Sequence, residues 1–303
     1  MEPISSESLP SFFRLEENEN KKFGEFIKEM RKKNISSPKD TAKLAADENK
    51  REIDSLLRDK HISKAISHLR EASYEIFLKE EIIFNGKILE EISNKFSIPN
   101  SIIKEISNNL FDMNINDKEI FCKNIINSFG SYAGKISPYI YALCLSNTQS
   151  RRSRAGKIFE GIIYYLYEKY GYSYDSQKKV GREIFTKLEL GKLVDSVLPG
   201  IKEFEKRRSK TIIGTMKTTL RERWQEVVEE VARSNIPTIH LLTVDDNISP
   251  KKVEQMSKHN IILVVLDSVK KVPQLSSVHS VIDFETYFLK ELPEIYQYWS
   301  EHD

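Results

Sequence analysis

Apolar residues recur along the first 130 positions at intervals of three and four. Phe23, Phe26, Ile27 and Met30 do so, then Ile66, Leu69, Tyr74 and Phe77-Leu78 with slight drift, then Ile102, Ile103, Ile106 and Leu110. One face of a helix carries such a pattern. This half is therefore predicted to be helical, with Asp40 to Leu57 a further, heavily charged helix. Ser36-Ser37-Pro38, Asn85-Gly86, Pro99 and Gly130 read as breaks. Ser137-Pro138 opens a short apolar helix, Tyr139 to Leu145. Ser146 to Arg154 reads as polar loop. Ile158, Phe159, Ile162, Ile163, Leu166 and Tyr170 then form one face of a helix over Ile158 to Tyr170.

The second half changes period. Lys192 to Leu198, Thr211 to Thr218, Pro237 to Val244, Asn260 to Leu266 and Val278 to Ile282 are short β-branched and apolar runs, predicted as strands. The first is ended by Pro199-Gly200, and a basic hinge, KEFEKRRSK, leads to the second. After Thr218 or Thr219, either able to cap a helix, Leu220, Trp224, Val227, Val228 and Val231 fall on one face. Another helix starts near Ser249-Pro250, where proline suits the first turn. A final helix, Phe284 to Leu289, leads to an aromatic tail, Ile295 to Trp299. Strands alternating with helices imply an α/β sheet. The expected organisation is an N-terminal arm (1–20), a helical region that supplies DNA-binding and dimerisation elements (21–145) and an α/β core (146–303), together one compact domain.

Composition narrows the class. Hydrophobic residues make up 39% and charged residues 30% of 303, as in a globular protein. No apolar run approaches the roughly 20 residues of a membrane helix, and the N-terminus lacks the basic and apolar regions of a secretory signal. Cys122 and Cys144 make no disulfide framework. They sit in apolar helical patterns and read as reduced core residues, which points to the cytoplasm. The net charge is only +2, but Ser146 to Glu226 holds 18 Lys and Arg against 10 Asp and Glu. Such a segment suits a polyanion, because phosphate contacts come largely from Lys and Arg; it equally suits a solvated surface.

Three residues suggest chemistry. Asp195 stands inside the run Leu193-Val194-Asp195-Ser196-Val197-Leu198, where an ionised carboxylate is costly unless paired or bound to metal. Alone, it is also consistent with a strand-end aspartate before the Pro199-Gly200 turn. Lys217 closes the next strand, on one face with Thr211, Ile213 and Thr215. A return of the chain across the hinge would bring it beside Asp195. Glu230 follows on the helix, with Glu226 one turn earlier, and either can fold back to the strand end. Two carboxylates and a lysine suit a hard divalent cation and an attacking water. The six histidines show no zinc-ligand spacing.

VDSV, then KTTLRERW, then Glu230 resembles the active-site and recognition signature of type II restriction endonucleases of the SsoII–PspGI–EcoRII branch, related to the NgoMIV group. In that family the PD-(D/E)xK motif is modified: the second acid has moved from beside the lysine onto the following helix. Here Thr215 stands two residues before Lys217, and Glu230 occupies the displaced position. SNTQSRRSRAGKIFE is similar to the family's upstream block. The resemblance spans roughly Ser146 to Glu230.

The resemblance implies a restriction-endonuclease-like α/β fold, a mixed central sheet flanked by helices. Asp195 and Glu230 would hold Mg²⁺, Lys217 would assist the water, and Glu160 would support the site. Arg221 and Arg223 would donate to guanines and Glu222 would accept from cytosine amino groups, as their hydrogen-bonding inventories allow. Gln149 would contact the same pairs from the minor groove. Members that read CCNGG or CCWGG extrude central nucleotides onto an aromatic ring beside an arginine. Phe96 is the best aromatic here, but Ile92 rather than arginine lies one turn before it, which favours an uninterrupted CCGG core. The expected protein is a bacterial, cytoplasmic, homodimeric, Mg²⁺-dependent enzyme that cuts both strands of a palindromic double-stranded DNA site with a CCGG or CCNGG core, its N-terminal half reading flanking pairs. No membrane partner is expected, and a cognate DNA methyltransferase is expected as a genetic companion. The rival readings are a non-catalytic DNA-binding protein and a structure-specific repair nuclease.

Overall fold

The computed structural model describes residues 14–111, 117–190, 194–220, 225, 227–228 and 238–302. The chain forms two compact units, one from Met1–Ser37 with Glu75–Ser153, the other from Pro38–Tyr74 with Arg154–Asp303. Two long helices, α4 (Ile62–Lys95) and α7 (Ser137–Lys169), supply residues to both, with α1 (Glu17–Asn34), α2 (Pro38–Glu48), α3 (Lys50–Arg58), α5 (Ser97–Phe111) and α6 (Lys118–Lys135) placed between them or before them in the chain.

The first unit is helical. α1 buries Phe23, Ile27 and Met30, the stripe its sequence spacing gives, and carries Glu17 and Glu19 in its first turn and Arg31, Lys32 and Lys33 in its last, as the helix dipole favours. Its core joins these residues to Phe77, Phe84, Ile88, Ile92, Phe96, Ile102, Ile136, Tyr139 and Leu143. Phe96 meets Phe23, Phe26 and Tyr139 edge-on, at centroid separations of 5.5, 6.0 and 5.6 Å.

Several sequence-predicted breaks do not interrupt helices. Asn85-Gly86 lies inside α4 and Gly130 inside α6; a glycine in a helix costs only about 1 kcal/mol, and a Cβ at either position would touch nothing within 4 Å. Ser146 to Arg154 is not a loop but the middle of α7. Its polar residues are helical because some have buried partners. Asn147 accepts from Arg31 Nη2 at 2.6 Å and donates to Asn85 at 2.8 Å, and Arg151 clasps the buried Glu81 with two nitrogens. Cys122 and Cys144 are reduced, but exposed rather than in the core: α6 buries none of its residues, and Cys144 follows the buried Leu143 onto the outer face.

The second unit is built on a five-stranded sheet in the order β1 (Ser196–Leu198), β2 (Ile212–Lys217), β3 (Ile239–Thr243), β4 (Ile261–Val265), β5 (Val281–Asp283). β1 runs antiparallel to β2, and the remaining pairs are parallel. The sheet is therefore mixed, and the strands fall on the sequence-predicted runs. One core gathers Val197, Ile213, Leu241, Leu263 and Val281 with Leu220, Val227, Val253 and Met256. α7 contributes an aromatic layer in which Phe159 meets Phe284 and Tyr167 meets Tyr287, their hydroxyls 2.8 Å apart. α7 ends at Lys169, and the chain then turns at Gly171, whose φ of 74° continues no helix, with the Tyr172 N–H returning to the Tyr167 carbonyl at 2.8 Å. The Asp40 to Leu57 helix is two, α2 and α3. The basic hinge is ordered as a short helix, Ile201–Lys206, and a 3₁₀ turn, Arg208–Lys210. The aromatic tail pins it: Trp299 Nε1 donates to the Lys210 carbonyl at 2.6 Å and Arg207 donates to the Tyr298 hydroxyl at 2.7 Å.

Gly214 sets the closeness of β1 and β2. A Cβ there would stand 2.5 Å from Ser196 Oγ and 3.7 Å from Leu242 Cδ1. Gly214→Ala should destabilise the protein by about 1–3 kcal/mol through overpacking, measured by denaturant unfolding, and Ser196→Ala in the same chain should recover most of it. An unchanged midpoint in the single variant would contradict the close approach.

Candidate active site

The site begins with the antiparallel register of β1 and β2. Ser196 pairs with Gly214 and Leu198 with Ile212, and just before β1 the Asp195 N–H donates to the Gly214 carbonyl at 2.9 Å. That register brings Asp195 to the last residues of β2. Its Oδ2 accepts from the Met216 N–H at 2.6 Å, lies 3.5 Å from Thr215 Oγ1 and stands 3.7 Å from Lys217 Nζ. The hairpin return therefore brings Lys217 to Asp195, as its position at the end of the strand suggested. Both side chains are mostly shielded, 18% exposed for Asp195 and 15% for Lys217.

α7 closes the site from its second-unit half. Tyr164 donates its hydroxyl to the Asp195 carbonyl at 2.8 Å. Glu160, one turn before Tyr164, interacts electrostatically with both Asp195 and Lys217. Burial pushes the Asp195 carboxyl above its ordinary value, against the pull of Lys217 and the Met216 N–H. Burial first, and then the Asp195 charge, push Glu160 up to about 7. Two carboxylates held in one low-dielectric place oppose each other's ionisation. A divalent cation relieves that opposition, and oxygen donors are what Mg²⁺ takes, so the residues present fit such an ion. Among the described residues no group of three His, Cys, Asp or Glu is arranged around a metal position.

Arg221, Glu222, Arg223 and Glu230 lie outside the described residues, as does Glu226. The chain is described up to Leu220, whose side chain is buried, and again at Gln225, Val227 and Val228, which are helical. Gln149 is exposed on α7 in the first unit, between the anchored Asn147 and Arg151. Phe96 belongs to that unit's aromatic core and is 9% exposed. Two participants carried no sequence signal strong enough to single them out: Tyr164 and Asp245. Tyr164 sits one helical turn from Glu160, which is the pattern that could have found it. Asp245 lies two residues past the end of β3, the strand next to that of Lys217, and its Oδ2 accepts from the Leu220 N–H at 2.7 Å.

The sequence matches the family described as EcoRII C terminal over residues 114–288, more than half of the chain. The chain belongs to the EcoRII C-terminal family. A curated relative, the type II restriction enzyme SsoII of Shigella sonnei, is 35% identical over 197 residues, 65% of this chain and 64% of that protein. The match thus spans a little under two thirds of the relative's length. Among solved structures, metal-depleted Ecl18kI in complex with uncleaved, modified DNA is similar with a TM-score of 0.73 and 27% identity, over 92% of this chain and 85% of that one. The complex of the restriction endonuclease PspGI with substrate DNA is similar in fold, with a TM-score of 0.57 and 19% identity, over 89% and 95%. The fold of this EcoRII C-terminal family member is that of restriction endonucleases.

The raised carboxyls make a pH signature. The unfolded chain protonates Glu160 near the ordinary 4.5 and the folded chain near 7. Between those values the folded state binds more protons, so its stability falls as pH rises through the window and stays low above it. Glu160→Gln should flatten that slope and stabilise the metal-free protein at pH 8 by on the order of 1–3 kcal/mol, measured by urea unfolding at pH 5 and pH 8. An identical slope in the variant would rule out the raised carboxyl.

Proposed function

We propose that the protein is a site-specific type II restriction endonuclease that hydrolyses both strands of a palindromic double-stranded DNA site with a CCGG or CCNGG core. The observation that carries this reading is the Asp195 carboxylate held against the Lys217 ammonium at the end of β2, with Glu160 beside them, in a chain of the EcoRII C-terminal family. Asp195 and Glu230 would hold Mg²⁺, with Glu160 supporting the site. When bound, the ion supplies Lewis-acid stabilisation of the phosphoryl charge and lowers the pKa of water.

The chain's own residues do the rest. Lys217 orients the attacking water and offsets charge on a phosphate oxygen as the water oxygen bonds to phosphorus. The bond from phosphorus to the 3′ oxygen breaks, leaving a 5′-phosphate and a 3′-hydroxyl, with staggered cuts giving 5′ overhangs. The Met216 N–H and Lys217 fix the direction of the Asp195 carboxyl and pull against the burial that raises it. Thr215, in the place where the standard motif has its second acid, contacts the same oxygen as a neutral hydroxyl.

Arg221 and Arg223 read guanines and Glu222 reads cytosine amino groups in the major groove, and Gln149 reaches the same pairs from the minor groove. Palindromic DNA matches a homodimer with two-fold symmetry. Phe96 packs with three aromatic rings, which supports a structural role and, with Ile92 before it, the uninterrupted CCGG core. A bacterial, cytoplasmic setting with a companion methyltransferase accords with this activity.

Asp195→Ala should abolish Mg²⁺-dependent cleavage of plasmid DNA and leave binding, followed by gel shift in Ca²⁺, close to wild type. A variant that still cuts would refute the assignment. Arg221→Ala should lose about 1–3 kcal/mol of discrimination per base contact, read from relative cleavage of duplexes that differ at one core pair.

A further inference from the structure

The chain that leaves Lys217 reaches the Arg221-Glu222-Arg223 triplet in only three residues, Thr218, Thr219 and Leu220. Neither Thr218 nor Thr219 supplies the bond found at the end of this link. The Leu220 N–H donates to Oδ2 of Asp245 at 2.7 Å, a short, charge-assisted bond from a separate part of the chain. Leu220 is thus held twice, by that bond and by a fully buried side chain in the sheet's core.

Asp245 is itself fixed. Its N–H donates to Thr243 Oγ1 at 3.1 Å, and its Oδ1 accepts from the Asn247 N–H at 3.0 Å. One bond to the end of β3 and one to its own loop leave Oδ2 to accept from Leu220. Thr243 is fully buried at the end of β3 and is the register partner of Lys217. The same turn of chain therefore abuts the catalytic lysine's strand position and grips the residue just before the readout triplet.

Resting on the proposed endonuclease activity, we infer that Asp245 is a positioning residue for base readout: it clamps the Lys217–Leu220 link so that the Arg221-Glu222-Arg223 triplet meets the bases in fixed register with the cut. It touches neither DNA nor the reacting atoms. Its loss should lower discrimination and turnover more than DNA affinity, because the phosphate-binding cations remain while the geometry that ties reading to cutting loosens.

The experiment compares wild type, Asp245→Ala and Asp245→Asn on short duplexes, one with the core that the wild type cuts and others with one core pair changed. Asp245→Ala should lose about tenfold or more of the ratio of kcat/KM between the two duplex types, with kcat on the cognate duplex falling and KM little changed. Its Leu220 amide should exchange with deuterium faster than in wild type. Asp245→Asn, whose side-chain oxygen still accepts, should recover much of both. If Asp245→Ala does not fold, Asp245→Glu displaces the carboxylate by one methylene and should also lower the ratio. Full discrimination in a folded Asp245→Ala or Asp245→Glu, or unchanged Leu220 exchange in Asp245→Ala, overturns the inference alone. A wild-type chain that cuts no duplex overturns it together with the proposed function.

Discussion

Everything at the candidate site depends on keeping one carboxylate beside one ammonium at the edge of an apolar sheet. Asp195 follows Val194 and precedes Ser196-Val197-Leu198, all buried. An uncompensated charge there would cost several kcal/mol. The antiparallel pairing of β1 with β2 supplies the compensation from three consecutive residues of β2: a hydroxyl from Thr215, a backbone N–H from Met216 and an ammonium from Lys217. The register is tight because Gly214 lets Ser196 approach to a distance that any larger residue would forbid. Even so, burial wins over these partners and the carboxyl remains raised. Such a site is poised to accept a cation, since binding one removes the remaining electrostatic penalty.

The same strand organises what lies beyond it. β2 is paired on one side with the strand that follows Asp195 and on the other, in parallel, with β3, whose end leads to Asp245. Two aspartates with different tasks thus bear on the chain at the end of β2 and just beyond it. One faces the lysine; the other grips the backbone three residues later. Thr215, where the standard motif places an acid, presents a neutral hydroxyl to Asp195 instead, which limits crowding of charge around Glu160 and Asp195.

Much of this was legible in the sequence. Strand periodicity located all five strands, and an aspartate in an apolar run followed by a strand-end lysine marked the pair that the sheet brings together. The helical half was less transparent. Ser146 to Arg154 has the composition of a loop, yet it is helical because Asn147 and Arg151 find Asn85, Arg31 and Glu81, partners more than 60 residues distant in sequence. Gly86 and Gly130 read as breaks, but a glycine inside a helix costs only about 1 kcal/mol and these helices run through both. Cys122 and Cys144 looked apolar by neighbourhood and are exposed, since α6 buries nothing and Leu143, not Cys144, faces inward. Asp245 could not be singled out, because its role arises from strand adjacency, and parallel neighbours leave no mark in the local pattern.

The central claim is that this arrangement cuts DNA at a defined palindrome. Sequencing the ends of a plasmid digested by the wild-type protein with Mg²⁺ tests it most directly. Discrete double-strand breaks, all sharing a CC…GG core with 5′-phosphates and 5′ overhangs, are expected. Intact plasmid, or ends scattered without a common sequence, would contradict it.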